Sequence, residues 1–392
     1  MAEAVLKGLT WDHPRGFRPL EKGVPLFQTT RPDVSIQWDK RSLKDFGEAS
    51  LEAVIRQYDL IVMDHPHVGE AAAREFLLDF SHYSQRYPDE IANDAYVGRS
   101  WESYWINGKQ LALPLDAATQ VAVARNDRLE ALGLAVPRTF DEVLAAAERC
   151  RGTSSWVAMT GFPTDAISLV ISLAAELGHP IDDDTEVFLG QSVGDEVLTR
   201  VQALAEIALP DSLDWNPIQL LDAMSERESG IVYCPYTYGY TNYAREEASP
   251  RLSFHDAPGV QGQGTARTQL GGAGIAISAF TEHPDLAVTY AAWLCSGRHQ
   301  AAEYFAYGGQ PANLAAWRDT DNDRAANGFF SNTLKSHERA HMRPRFDGWL
   351  PFFESAGVKV NAFLHQRLSR AELLSWLNKE FEQTLRRRRA GT

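Results

Sequence analysis

The sequence predicts an α/β protein of two lobes, and three observations carry that reading. The chain has 392 residues, more than one ordinary hydrophobic core accommodates. Its first hundred residues alternate strand-like and helix-like segments, the pattern of a mostly parallel open sheet. The outer strand-like runs, "VLKGLTW" and "DLIVMD", lack polar alternation, as strands covered on both faces do.

Taken in order, "VLKGLTW" is a strand, "LEKGVPLFQ" a short helix, "VSIQW" a strand, "LEAVIRQY" a helix and "DLIVMD" a strand. "AAAREFLLDF" supplies the next helix. "NGK" is a turn between "SYW" and the strand "QLALPL". In "GLAVPRTFDEV", Gly133 stops one helix; Thr139 caps the next, with Glu142 as its capping-box partner. A strand "WVAMTG" and a helix "AISLVISLAAEL", ending at Gly178, follow. Then come helix "DEVLTRVQALAEIAL", strand "IVYCPYTY", the segments "LSFHDAPG" and "LGGAGIAIS", and helices "PDLAVTYAAWLCS" and "HQAAEYFAY". The last helix begins at Ser369, with Glu372 completing a second capping box. No repeat or low-complexity tether separates the lobes, so strands threaded through the fold must connect them.

Composition narrows the function classes. Hydrophobic residues are 44% and charged residues 23% of the chain, the balance of a globular protein. No apolar run reaches the roughly 20 residues of a membrane span. A formal net charge of −14 argues against a nucleic-acid or anionic-membrane surface, and the terminal "RRRR" reads as a solvated helix end. Cys150, Cys234 and Cys295 are isolated and odd in number, which excludes a disulfide scaffold and a thiolate zinc site. No dinucleotide, phosphate-loop, GxSxG or HExxH motif is present, so no cofactor is expected.

The order "LKGLTW…LFQTTRPDVSIQW…YDLIVMD…INGKQLALPLDAATQVAVARNDRLEALGLAVPRTFDEV", with "GGAGIAISAFTEHPDLAVTYAAWLCS", "GGQPA" and "RPRFDGW", resembles bacterial extracellular solute-binding proteins of family 1. These are the sugar-type receptors of ABC importers. The resemblance implies a type II periplasmic-binding-protein fold with a ligand cleft between its lobes. It implies one lobe from residues 1–115 and 265–325 and another from 116–264 and 326–392. It also implies a small polar ligand, carbohydrate or sugar-acid-like, and an ABC permease as partner to a monomer. A leader removed from the chain implies a periplasmic or cell-surface location; Met1 as native start implies a cytoplasmic one.

One feature departs from a plain sugar receptor. Asp-His-Pro occurs twice after an apolar run, at Asp12-His13-Pro14 and Asp64-His65-Pro66. If the first and third strands are sheet neighbours, both tripeptides reach one rim at the carboxyl ends of the strands, where open α/β sheets bind ligands. Three readings stay open: turn and cap residues, recognition of solute hydroxyls, or a metal or acid–base site. The last supports an alternative function, an enzyme using Asp12, His13, Asp64 and His65 for proton transfer.

Other candidates follow from position in the family. Trp11 and His67 flank the tripeptides, and Asp116 lies at the first crossing. Thr160, Gly161 and Phe162 end a strand. Tyr236, Tyr238 and Tyr240 alternate, so on a strand all three share one face. Gly271 and Gly272 permit close backbone approach. Gln310, Trp349, Arg343 and Arg345 complete the set.

Overall fold

The computed structural model describes residues 4–48, 50–260, 262 and 264–391. The chain divides into two units. Unit 1 comprises Met1–Ala118, Gly271–Asp323 and Arg345–Asp347; unit 2 comprises Thr119–Leu270, Arg324–Pro344 and Gly348–Thr392.

In unit 1 the first strand, β1 (Ala4–Trp11), buries its second half, Gly8 to Trp11. It pairs in parallel with β2 (Val34–Arg41) from Ala4↔Val34 to Trp11↔Arg41. Glycine at position 8 is dictated by the neighbour: a Cβ there would run into the Trp38 indole opposite. Between them runs α1 (Pro14–Thr30), one helix of 17 residues where the sequence predicts a short one. Its internal Pro19 and Pro25 each remove a helix hydrogen bond. Gly16, Leu20, Gly23 and Phe27 bury one stripe, and this packing outweighs the breaks.

The third strand, β3 (Leu60–Asp64), lies on the other edge of β1 in parallel, with Gly8↔Leu60 and Leu9↔Ile61. Leu60, Ile61, Val62 and Met63 have no exposed surface. The far edge of β3 is closed by the antiparallel strand Leu270–Ile277, from Ala273↔Asp64 to Ile277↔Leu60. Leu51, Ile55, Met63, Val68, Phe76 and Tyr104 pack on one face of this sheet.

Two local expectations give way. "LEAVIRQY" forms only a 3₁₀ turn at Leu51–Ala53. The helix expected in "AAAREFLLDF" is Val68–Ala73, cut short where Glu75 takes a positive φ of 52°. The "NGK" turn is a hairpin, Trp105–Ile106 against Lys109–Gln110, with Asn107 and Gly108 both at positive φ.

In unit 2 the strand Ile231–Tyr238 pairs antiparallel with the later part of Leu113–Ala124, which Ser253–His255 also joins. The expected "WVAMTG" strand shrinks to Trp156–Val157, parallel to Ile231–Tyr238. Helix Pro163–Glu176 is buried along almost its whole length, with Trp349–Leu364 and Gln191–Ile207 against it. Gly357 permits the first of these contacts, since a Cβ would meet the Pro163 carbonyl. Both capping boxes form, Thr139 with Glu142 and Ser369 with Glu372. Cys150, Cys234 and Cys295 are free and buried.

Candidate functional site

Parallel pairing of β1 and β3 answers why the tripeptide occurs twice. The pairing covers Gly8↔Leu60 and Leu9↔Ile61; Asp12 follows directly after the end of β1 and Asp64 is the last residue of β3, so each tripeptide starts at the carboxyl end of its strand. The two copies then diverge. Pro14 opens α1, and His13 is its N-cap, with Nδ1 accepting from the Arg15 N–H at 3.1 Å. Asp12 is exposed, its N–H bonded to the Arg41 carbonyl at 2.8 Å. In the second copy the aspartate caps: Asp64 Oδ1 accepts from the His65 N–H at 2.8 Å and lies 3.1 Å from the His65 ring. His65 and His67 are fully buried.

Electrostatics follow from that burial. Desolvation lowers His13 to about 4, helped by the charges of Arg15 and Arg18. His67 also falls to about 4, chiefly through desolvation, with its Nε2 3.3 Å from the Phe46 carbonyl. Trp11 is buried and faces Phe46, ring centroids 5.0 Å apart.

Asp116 sits behind this rim in unit 1, 2% exposed. Arg15 grips it with two donors, Nε to Oδ2 at 2.7 Å and Nη2 to Oδ1. Burial pushes the Asp116 carboxyl up and the guanidinium pulls it back. The sequence gives no sign of this pairing, because the partners are about a hundred positions apart. The backbone beside Asp116 is fixed from two directions. Gln310 donates to the Ala117 carbonyl at 2.7 Å. Gly272 has φ of 99°, and a Cβ there would collide with the Asp116 carbonyl.

Unit 2 carries the remaining candidates. Thr160 is buried and donates to the Tyr236 carbonyl at 3.3 Å. Gly161 and Phe162 follow in a turn held by N–H bonds to the Ser212 and Trp215 carbonyls, both at 3.1 Å. Asn361 donates to the Gly161 carbonyl at 2.8 Å. The tyrosine stripe does not behave as one wall. Tyr236 is buried, with its hydroxyl donating to Pro258 at 2.6 Å, and burial pushes its phenol up. Tyr238 is half-buried and accepts from Gln269 Nε2 at 2.9 Å. Tyr240 lies beyond the strand, which ends at Tyr238, so strand alternation does not govern it.

The other candidates make contacts within their own unit. Trp349 is fully buried among Phe352, Phe353 and Phe381. Arg343 lies over the Phe353 ring at 4.7 Å. Arg345 Nη1 donates to the carbonyls of Glu102, Ser103 and Trp105 within unit 1, at 2.8–3.1 Å. Among the described residues, no three His, Cys, Asp or Glu side chains are grouped to hold a metal ion.

The family model for bacterial extracellular solute-binding proteins matches residues 10–301. The chain belongs to that family. This solute-binding protein also shares its fold with solved structures at low identity. Maltose-bound MalE3 of T. maritima superposes with a TM-score of 0.81 at 17% identity, covering 96% of this chain and 98% of that one. An ABC transporter solute-binding protein from Agrobacterium radiobacter K84, in complex with ribitol, gives 0.80 at 19%, covering 97% and 98%. One from Agrobacterium vitis S4 with bound D-mannitol gives 0.78 at 16%, covering 98% and 99%. The solute-binding protein thus has the two-lobed α/β fold of periplasmic binding proteins. No curated protein matches it significantly. Among the described residues, no helix is long and apolar enough to cross a membrane.

Proposed function

We propose that this solute-binding protein captures a carbohydrate or sugar-acid-like solute at the periplasmic or cell-surface side and delivers it, as a monomer, to an ABC permease. The observation that carries the reading is that Asp12 and Asp64 each stand at the carboxyl end of one of two parallel neighbouring strands, in a chain of this family. Carboxylates only accept, so two of them on one rim suit a solute rich in hydroxyl donors. In unit 2, half-buried Tyr238 carries an aromatic ring, the kind of surface that packs on sugar C–H faces. Maltose, ribitol and D-mannitol in the structurally similar proteins set the class of solute to try.

The acid–base alternative gains no support from the geometry. His13 holds its Nδ1 on a cap, and an imidazole lowered to about 4 is a poor proton carrier at neutral pH.

The test is thermal denaturation with maltose, ribitol, D-mannitol and D-glucuronate. A solute at a hundred times its Kd adds about 2.7 kcal/mol of stability. Asp12→Asn and Asp64→Asn should each weaken that response. Calorimetry showing no binding of any of the four to the wild-type protein would overturn the reading.

A further inference from the structure

We propose that unit 2 carries a further ligand site, a surface cavity that takes a small zwitterion with an apolar body, of the α-amino acid class. None of its residues is among those proposed above for the solute.

The cavity has a volume of about 510 Å³ and lies wholly within unit 2. It forms where the end of helix Trp349–Leu364 and the start of helix Arg370–Gly391 meet helix Gln191–Ile207. That size falls within the roughly 300–1,000 Å³ of small-molecule pockets. Its apolar part comes from Phe363 and Leu364, both buried core residues. An apolar ligand body laid on them is withdrawn from water.

Charges of both signs line this cavity, Arg367 and Arg370 together with Glu206 and Glu372. Among the described residues, no ion pair joins them. Glu372 is committed to its own helix start. Its Oε2 accepts from the Ser369 N–H at 2.8 Å and hydroxyl at 2.7 Å, which holds the carboxyl below its ordinary value. Arg370 gives one donor to the Thr199 hydroxyl. Glu206 takes only an amide proton, from Gln202 Nε2 at 2.8 Å, so no cation balances it. The Arg367 backbone is fixed, its N–H on the Ala362 carbonyl at 2.9 Å. Its guanidinium enters no hydrogen bond or ion pair among the described residues, though Asp214 senses its charge.

Opposite charges that line one cavity without pairing are complemented by a ligand carrying both. A carboxylate suits the planar Arg367 fork, with the remaining Arg370 donors in the same lining. An ammonium, with three donors, suits Glu206. Gln366 adds an independent sign. It follows the helix end at φ of 56°, a conformation that favours glycine. Its N–H bonds the Phe363 carbonyl at 2.9 Å, a contact glycine would make equally well. Glutamine there costs stability, and it lines the cavity.

The experiment is NMR titration with L-leucine, N-acetyl-L-leucine and L-leucinamide. They share one apolar side chain and carry both charges, the negative one alone and the positive one alone. L-Leucine should bind, and each singly charged probe should bind roughly 10-fold more weakly, the value of one charge-assisted hydrogen bond. Arg367→Gln should bring L-leucine down to the wild-type affinity of L-leucinamide. Glu206→Gln should bring it down to that of N-acetyl-L-leucine. Both side chains are exposed, so neither substitution threatens the fold. Gln366→Gly should raise the melting temperature yet weaken L-leucine by roughly 3- to 10-fold, the value of a neutral hydrogen bond. Maltose, ribitol, D-mannitol and D-glucuronate should each behave toward the three variants as toward the wild type, whether or not they bind, which separates this site from the solute reading. No binding of L-leucine, equal binding of a singly charged probe, or wild-type L-leucine affinity in the three variants overturns the inference.

Discussion

Acidification is expected to loosen unit 1 through two imidazoles, and the size of the effect follows from their environment. His13 and His67 both fall from 6.5 to about 4 on folding, with burial the main cause. Between those two values the unfolded chain binds more protons than the folded one. Stability is therefore full above about pH 6.5 and is lost as pH falls toward 4. At pH 5 the linkage amounts to about 2 kcal/mol for each histidine, so about 4 kcal/mol for the pair. His255 and His299 are lowered by burial too and act in the same direction. His67→Gln isolates one contribution, since its amide can still donate to the Phe46 carbonyl. Urea unfolding at pH 7.5 and pH 5 measures the loss of stability between the two conditions. That loss should be about 2 kcal/mol smaller in the variant than in the wild type. The same loss in both proteins would refute the argument, meaning that His67 titrates alike folded and unfolded.

Three further outcomes follow from contacts within single units. Asp116→Ala should destabilise by about 3–5 kcal/mol, because it removes the carboxylate paired with the buried Arg15 guanidinium; adding Arg15→Met should recover much of this, as chemical denaturation will show. Tyr236→Phe should cost about 1–2 kcal/mol by leaving the Pro258 carbonyl without its donor, yet keep solute affinity within about twofold in calorimetry. Trp349→Ala should cost about 3–5 kcal/mol in urea unfolding, as expected for a large fully buried side chain.

What could be read in the sequence was local or periodic. Thr139 with Glu142 and Ser369 with Glu372 are three residues apart, and a capping box needs only that spacing. The apolar runs of β1 and β3 show their burial directly, and strand order alone brings Asp12 and Asp64 to one edge. Long-range partnership was not legible. Nothing around Asp116 announces Arg15, and nothing around Tyr238 announces Gln269, because the chain must fold before either pair meets. Side-chain environment was hidden as well. Trp349 and Tyr238 are both aromatic residues in motif-like stretches, yet one is core and the other half-exposed. The α1 helix shows local signals being overruled, since Pro19 and Pro25 argue for a break that the buried stripe of Leu20, Gly23 and Phe27 overrides.

The strand Leu270–Ile277 has a consequence for synthesis. It is the antiparallel neighbour of β3, yet residues 119–269 of unit 2 are translated between them. While unit 2 is being made, the emerging chain carries β3 with one ladder edge unmatched. Unit 1 also waits for Arg345, whose guanidinium ties the Glu102–Trp105 carbonyls and which is translated after most of unit 2. An amino-terminal fragment ending near Ala118 is thus a sticky, incomplete sheet and not a domain. A folding route built this way leaves the sheet of unit 1 incomplete until Arg345 has been made.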